Sequence, residues 1–126
     1  MTDWRWIDPQ VVYAVHDRQL AEHGGRDGVR DQGALESALA RPQNPAAYGD
    51  PDVADLAAAY AFGLAKNHGF ADGSKRTAWV VARIFLADNG RRLRFDPADA
   101  VRTMEAVAAG TLEEAGLADW FRRHLI

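Results

Sequence analysis

The sequence predicts an all-α fold: a compact single-domain bundle of about six helices spanning residues 1–126. Apolar residues recur at three- and four-residue spacing over most of the chain. Aspartate or Asp-Pro signals open these stretches, and glycine or Asn-Gly closes them. Extended structure is confined to at most a vestigial strand pair near Gly28–Arg30 and Arg92–Arg94.

The elements follow in order. Asp8-Pro9 is a cap with proline at the first helical position, and Val11, Val12, Val15 and Leu20 form a stripe ended by Gly24-Gly25. Asp31 caps a second, short helix carrying Leu35, Ala38 and Leu39, which stops before Pro42. Residues Pro42–Pro51, with three prolines, read as the longest irregular connection. The third helix starts near Asp52 and runs through Leu56, Tyr60 and Leu64 to about Asn67, with the small run Ala57-Ala58-Ala59 allowing close helix approach. A fourth begins near Ser74 or Lys75, is apolar nearly all round, and stops at Asn89-Gly90; its pattern marks a central buried helix. Asp96-Pro97 opens the fifth, which Gly110 ends. Thr111-Leu112-Glu113-Glu114 reads as a capping box for the sixth, with Leu117, Trp120, Phe121 and Leu125 on its face.

Composition excludes several classes. At 126 residues, with 48% hydrophobic and 26% charged residues, the chain can bury one core without staples. It has no cysteine, so there is no disulfide framework and no thiolate metal site, which suits a reducing compartment. The net charge of −3 gives no general attraction to nucleic acid, and there is no basic recognition helix. Neither a signal peptide nor a membrane-spanning run is present, so the expectation is a cytoplasmic protein acting on neither membrane nor nucleic acid.

Chemistry concentrates in one run, His68-Gly69-Phe70-Ala71-Asp72-Gly73-Ser74-Lys75-Arg76-Thr77, between the third and fourth helices. The start of the fourth helix presents free backbone N–H groups and a dipole that favours an anion. Gly73 lets the backbone approach a ligand, while Lys75 and Arg76 add charge, Arg76 with a fork suited to phosphate oxygens. A carboxylate beside bound phosphates calls for a cation between them, and magnesium on Asp72 is the natural mediator. His68 is the general base of the loop, since an ordinary imidazole titrates near ~6.5. Phe70 is expected to turn inward and anchor the loop.

Each residue taken singly has an ordinary structural reading: a helix-end histidine, an Asp-Gly turn, a serine cap, a solvated Lys-Arg pair. Their joint order is what points to phosphate chemistry. Elsewhere, His16 reads as a solvated or partly packed helix residue, His23 and His124 as partners of helix C-termini, and Arg122-Arg123 as a solvated face.

The run resembles the signature His-x-Phe-x-Asp-Gly-x-Lys-Arg-Thr of the Doc (death-on-curing) branch of the Fic/Doc superfamily. The likeness extends to Asp27–Pro42, similar to the upstream helix of these toxins, and to Ala58–Asn67, similar to the helix entering the motif; it covers roughly residues 7–125. The resemblance implies a toxin of a type II toxin–antitoxin system. Its activity would be that of a protein kinase using ATP and Mg2+ to phosphorylate a threonine of elongation factor Tu and so arrest translation.

Carried over, His68, Asp72, Lys75 and Arg76 are catalytic, with His68 the base and Asp72 the metal ligand. Gly73, Ser74, Lys75 and Arg76 bind the nucleotide phosphates. AMP-transferring relatives carry Gly-Asn-Gly where this chain has Gly73-Ser74-Lys75, so Lys75 is the residue that favours phosphate transfer. The branch usually has asparagine at the position of Ser74. An AMP-transferring enzyme, and an attenuated module that only binds its antitoxin, are the alternatives. The chain lacks the inhibitory Ser/Thr-x-x-x-Glu-Gly/Asn helix of many AMP-transferring relatives, so inhibition is expected in trans from a cognate antitoxin. Trp4, Trp6 and Tyr48 are candidate contacts for it, and Arg30-Asp31 for the nucleotide pocket by analogy.

Overall fold

A computed structural model of the chain describes residues 3–67 and 69–126. Seven helices are present among them: α1 (Pro9–His23), α2 (Gln32–Ala40), α3 (Gln43–Tyr48), α4 (Val53–Lys66), α5 (Ser74–Asp88), α6 (Pro97–Ala109) and α7 (Glu114–His124). Most ends form where the local chemistry puts them. The Asp8 carboxylate accepts from the Gln10 amide, that of Asp31 from Ala34, and Asp52 and Asp55 form a reciprocal capping box. Gly110 closes α6 in the left-handed conformation that glycine adopts without a Cβ penalty.

The structure departs from the sequence expectations at several points. The Pro42–Pro51 connection contains α3, because Pro42 precedes the helix and Pro45 lies in its first turn, where a missing N–H breaks no helical bond. The expected third and fourth helices are therefore α4 and α5. Thr111 does not cap α7; its hydroxyl donates back to the Ala106 carbonyl at 3.2 Å, and Glu113 precedes the helix with no side-chain cap. The two extended pieces do not pair with each other. Val29 bridges to Phe70 and Leu93 to Leu125, each antiparallel, so one piece is tied to the motif loop and the other to the end of the chain.

The centre of the molecule is α4, with eleven of its fourteen residues buried, rather than α5, with six of fifteen. Helix α4 packs against α2, α5, α6 and α7. Its small residues make this possible: a Cβ on Gly63 would stand 3.3 Å from that of Ala38 on α2. One buried cluster holds Leu35, Leu56, Leu64, Phe85, Val107 and Phe121 together. Each such side chain contributes about 1.5–3 kcal/mol by leaving water.

Two polar features tie distant segments to α4. The Tyr60 hydroxyl accepts from the Ile7 amide at 3.0 Å, and burial pushes its pKa up. Arg122, expected on a solvated face, instead reaches from α7 to the start of α4. It donates to Asp52 at 2.7 and 3.1 Å and to Asp55 at 2.9 Å, and it also pairs with Asp119. Among the described residues no helix is long and apolar enough to cross a membrane.

Candidate active site

The motif loop crosses from the end of α4 to the start of α5. His68, the expected base, lies outside the described residues; the rest of the run is described. Phe70 is buried, as expected, with 2% of its surface exposed. Its ring stacks on His16 of α1 with centroids 3.7 Å apart, and Tyr13 meets it edge-on.

The backbone of the loop is held by the connection between α1 and α2. The Gly69 carbonyl accepts from the amides of Arg30 (2.8 Å) and Asp31 (3.1 Å), while the Ala71 amide donates to the Gly28 carbonyl (3.1 Å). Leu35 presses from α2 so closely that a Cβ on Gly69 would lie 2.5 Å from its side chain. Arg30 thus contributes its amide to this hold, and Asp31 caps α2 as well.

Asp72 follows. Its carboxylate, 45% exposed, accepts from the Arg26 amide at 2.7 Å, and the Arg26 guanidinium stands 3.6 Å away. The amide bond first, and the nearby cation second, hold the carboxyl below the usual carboxylate range, so it is charged at neutral pH. Its backbone carbonyl is bonded to His16 Nε2 at 2.7 Å.

Gly73 then turns the chain at φ 81°, a left-handed conformation that a side chain would strain. It, rather than Ser74, is the N-cap of α5, and no side chain caps the helix. The first helical bond runs from the Thr77 amide to the Gly73 carbonyl, so the amides of Ser74, Lys75 and Arg76 precede the helical ladder. Lys75 and Arg76 are exposed and form no ion pair among the described residues. A helix start with bare amides, two cations free of ion pairs among the described residues and a charged carboxylate at its edge offers chemistry that an anion and a cation can share.

These five residues, Asp72 to Arg76, line one cavity of about 720 Å³ between α5 and α6. Further along α5 it is lined by Trp79 and Arg83, and beyond them by Phe95 and by Ala100, Val101 and Met104 of α6, with the Arg83 guanidinium 5.8 and 5.2 Å from the Trp79 and Phe95 ring centroids. The volume suits a nucleotide-sized ligand. Residue types and spacing alone placed Trp79 only on an apolar stripe and left Arg83 without a role; the turn of α5 that brings both into the cavity was not visible.

His16, read as solvated or partly packed, is 2% exposed and sits under the loop. Arg26 carried no motif signal at all. Trp4 and Trp6 are half-buried against Phe85, with ring centroids at 6.4 and 6.0 Å, whereas Tyr48 is 91% exposed and lines a separate cavity of about 490 Å³ with Pro45 and Glu114. The three do not form one patch.

Comparison with known proteins agrees with the motif. A model of the Fic/DOC family matches residues 6–86. The chain is 33% identical over 120 residues to a protein kinase doc of Escherichia phage P1, with 94% of each chain covered. It is 49% identical over 76 residues to a toxin Doc of Mycolicibacterium smegmatis, covering 58% of each. The family match takes in the α1–α2 connection, the whole loop and most of α5, but not Phe95 and the α6 residues that complete the cavity. The chain belongs to the Fic/Doc family, in its Doc branch.

Proposed function

We propose that this protein is a toxin that acts as an ATP-dependent protein kinase, passing the γ-phosphate to a threonine hydroxyl of a translation factor, elongation factor Tu by likeness to its branch. The observation that carries the reading is the gathering of Asp72 to Arg76 around one cavity at an uncapped helix start. Names of the relatives, a kinase in one case and a toxin in the other, point the same way.

In this reading the amides of Ser74, Lys75 and Arg76 and the two side-chain cations take the phosphate oxygens and hold the chain of phosphates still. The Asp72 carboxylate is the magnesium ligand; the ion, when bound, neutralises phosphate charge. His68 removes the proton of the acceptor hydroxyl. The oxygen so freed forms a bond to the γ-phosphorus while the bond to the bridging oxygen breaks, and ADP departs with that electron pair. Lys75 adds a cation where AMP-transferring relatives have glycine, so it supports the presentation of the γ- rather than the α-phosphate. A cognate antitoxin supplies inhibition in trans.

Incubation with elongation factor Tu and ATP labelled at either the α or the γ position tests the reading. Transfer of the γ label alone is the expected result. Transfer of the α label alone makes the protein an AMP transferase. Growth arrest that persists in His68→Ala removes both enzymatic readings and leaves an antitoxin-binding module.

A further inference from the structure

His16 takes no part in the chemistry above, yet a histidine in the middle of a helix with 2% exposure has a large desolvation cost to offset. Its bond to the Asp72 carbonyl, 56 residues away in sequence, offsets it. A carbonyl can only accept, so Nε2 carries the hydrogen and the tautomer is fixed by the loop. The ring is clamped by the parallel face of Phe70, 3.7 Å away and inclined by 10°. A Cβ added to Gly73 would also lie 3.5 Å from the ring.

The geometry of a peptide group gives this bond a consequence. The carbonyl of Asp72 and the N–H of Gly73 belong to one planar trans unit, in which they point in opposite directions. Holding the carbonyl on His16 therefore aims the Gly73 N–H away from α1. The same anchor fixes the Cα of Asp72, from which the carboxylate projects towards the Arg26 amide.

We propose that His16 is a positioning residue for the phosphate-binding turn: through the Asp72 carbonyl it sets the orientation of the Asp72–Gly73 peptide and the placement of the Asp72 carboxylate. Its effect on catalysis rests on the kinase reading; its effect on the loop does not.

Two substitutions separate the donor from the packing. His16→Phe keeps a ring against Phe70 and removes the donor, while His16→Gln offers an amide donor at similar reach. In His16→Phe the bonded amides that flank the turn, Ala71 on the Gly28 carbonyl and Thr77 on the Gly73 carbonyl, exchange hydrogen at least tenfold faster, while those of α4 are unchanged. Its kcat falls on the order of 10–100-fold with little change in KM for the acceptor protein. His16→Gln recovers most of both losses. Unchanged loop exchange in His16→Phe overturns the proposal, as does a Gln variant no better than Phe.

Should His16→Phe not fold, His16→Met takes its place against Gln, since the two have similar length and only one donates. A native chain that transfers no phosphate defeats the kinase reading alone; the exchange rates then decide the positioning role by themselves.

Discussion

Serine at 74 stands at the first position of α5, where its amide faces the candidate phosphate site whatever its side chain does. The usual asparagine of the branch would add an amide donor at this point. Ser74→Asn is expected to raise kcat about tenfold, or about 1.4 kcal/mol, the low end of what a hydrogen bond to a charged group contributes; steady-state phosphate transfer measures it. Asp72 allows a sharper test through pH. Its folded pKa is depressed, chiefly by the Arg26 amide, so the stability it contributes is present above the unfolded value and is lost as pH falls through the folded one. It stays charged through the neutral range. Asp72→Asn should then lower the rate by a constant factor of about 100 between roughly pH 5 and 8, with no shift of either limb of the profile. The motif residues were legible because their chemistry is contiguous in sequence. His16 was not, since the carbonyl that gives it meaning lies on another element and carries no residue identity.

At the scale of elements, the ends of α1, α2, α4 and α6 could be read from short-range chemistry, because Asp8, Asp31, Asp52 and Gly110 act within a few residues of themselves. Long-range partners escaped the same reading. Val29 and Leu93 both looked extended, but nothing local says that the first meets Phe70 and the second Leu125. Arg122 looked like a solvated cation for the same reason: Asp52 is 70 residues away. Its guanidinium, first through the hydrogen bond and then through charge, holds the Asp52 carboxyl down from 3.8 to about 2. The sign is that of a depressed acid. The contribution to folding is complete above pH 3.8 and disappears as pH falls towards 2. Both groups are substantially exposed, which screens the pair. Arg122→Gln should therefore cost about 1 kcal/mol near neutral pH, and the difference from the native chain should close as pH falls from about 4 to about 2. Urea unfolding at a series of pH values checks both statements.

Over the whole molecule, α4 is the axis on which other parts are assembled, and its small residues set how near they come. At Gly63 an added Cβ would stand 3.3 Å from that of Ala38 on α2. Gly63→Val should destabilise the fold by about 1–3 kcal/mol through overpacking. Because α2 also carries Leu35 against Gly69, the same change should loosen the motif loop; calorimetry and the exchange of the Arg30 and Ala71 amides would register the two effects separately. The sequence pattern marks α5 as a central buried helix, since it is apolar nearly all round. Burial follows close approach rather than hydropathy alone, and the alanines of α4 permit more of it.

The link from Gly24 to Arg30 is exposed along its whole length, although Arg26, Gly28 and Arg30 all hold the loop through their backbones. All three of its glycines, Gly24, Gly25 and Gly28, have positive φ. A protease that nicked this link would leave every helix and the buried cluster in place. The severed strap would no longer keep its register on Asp72, so limited digestion should silence the protein well before it melts it.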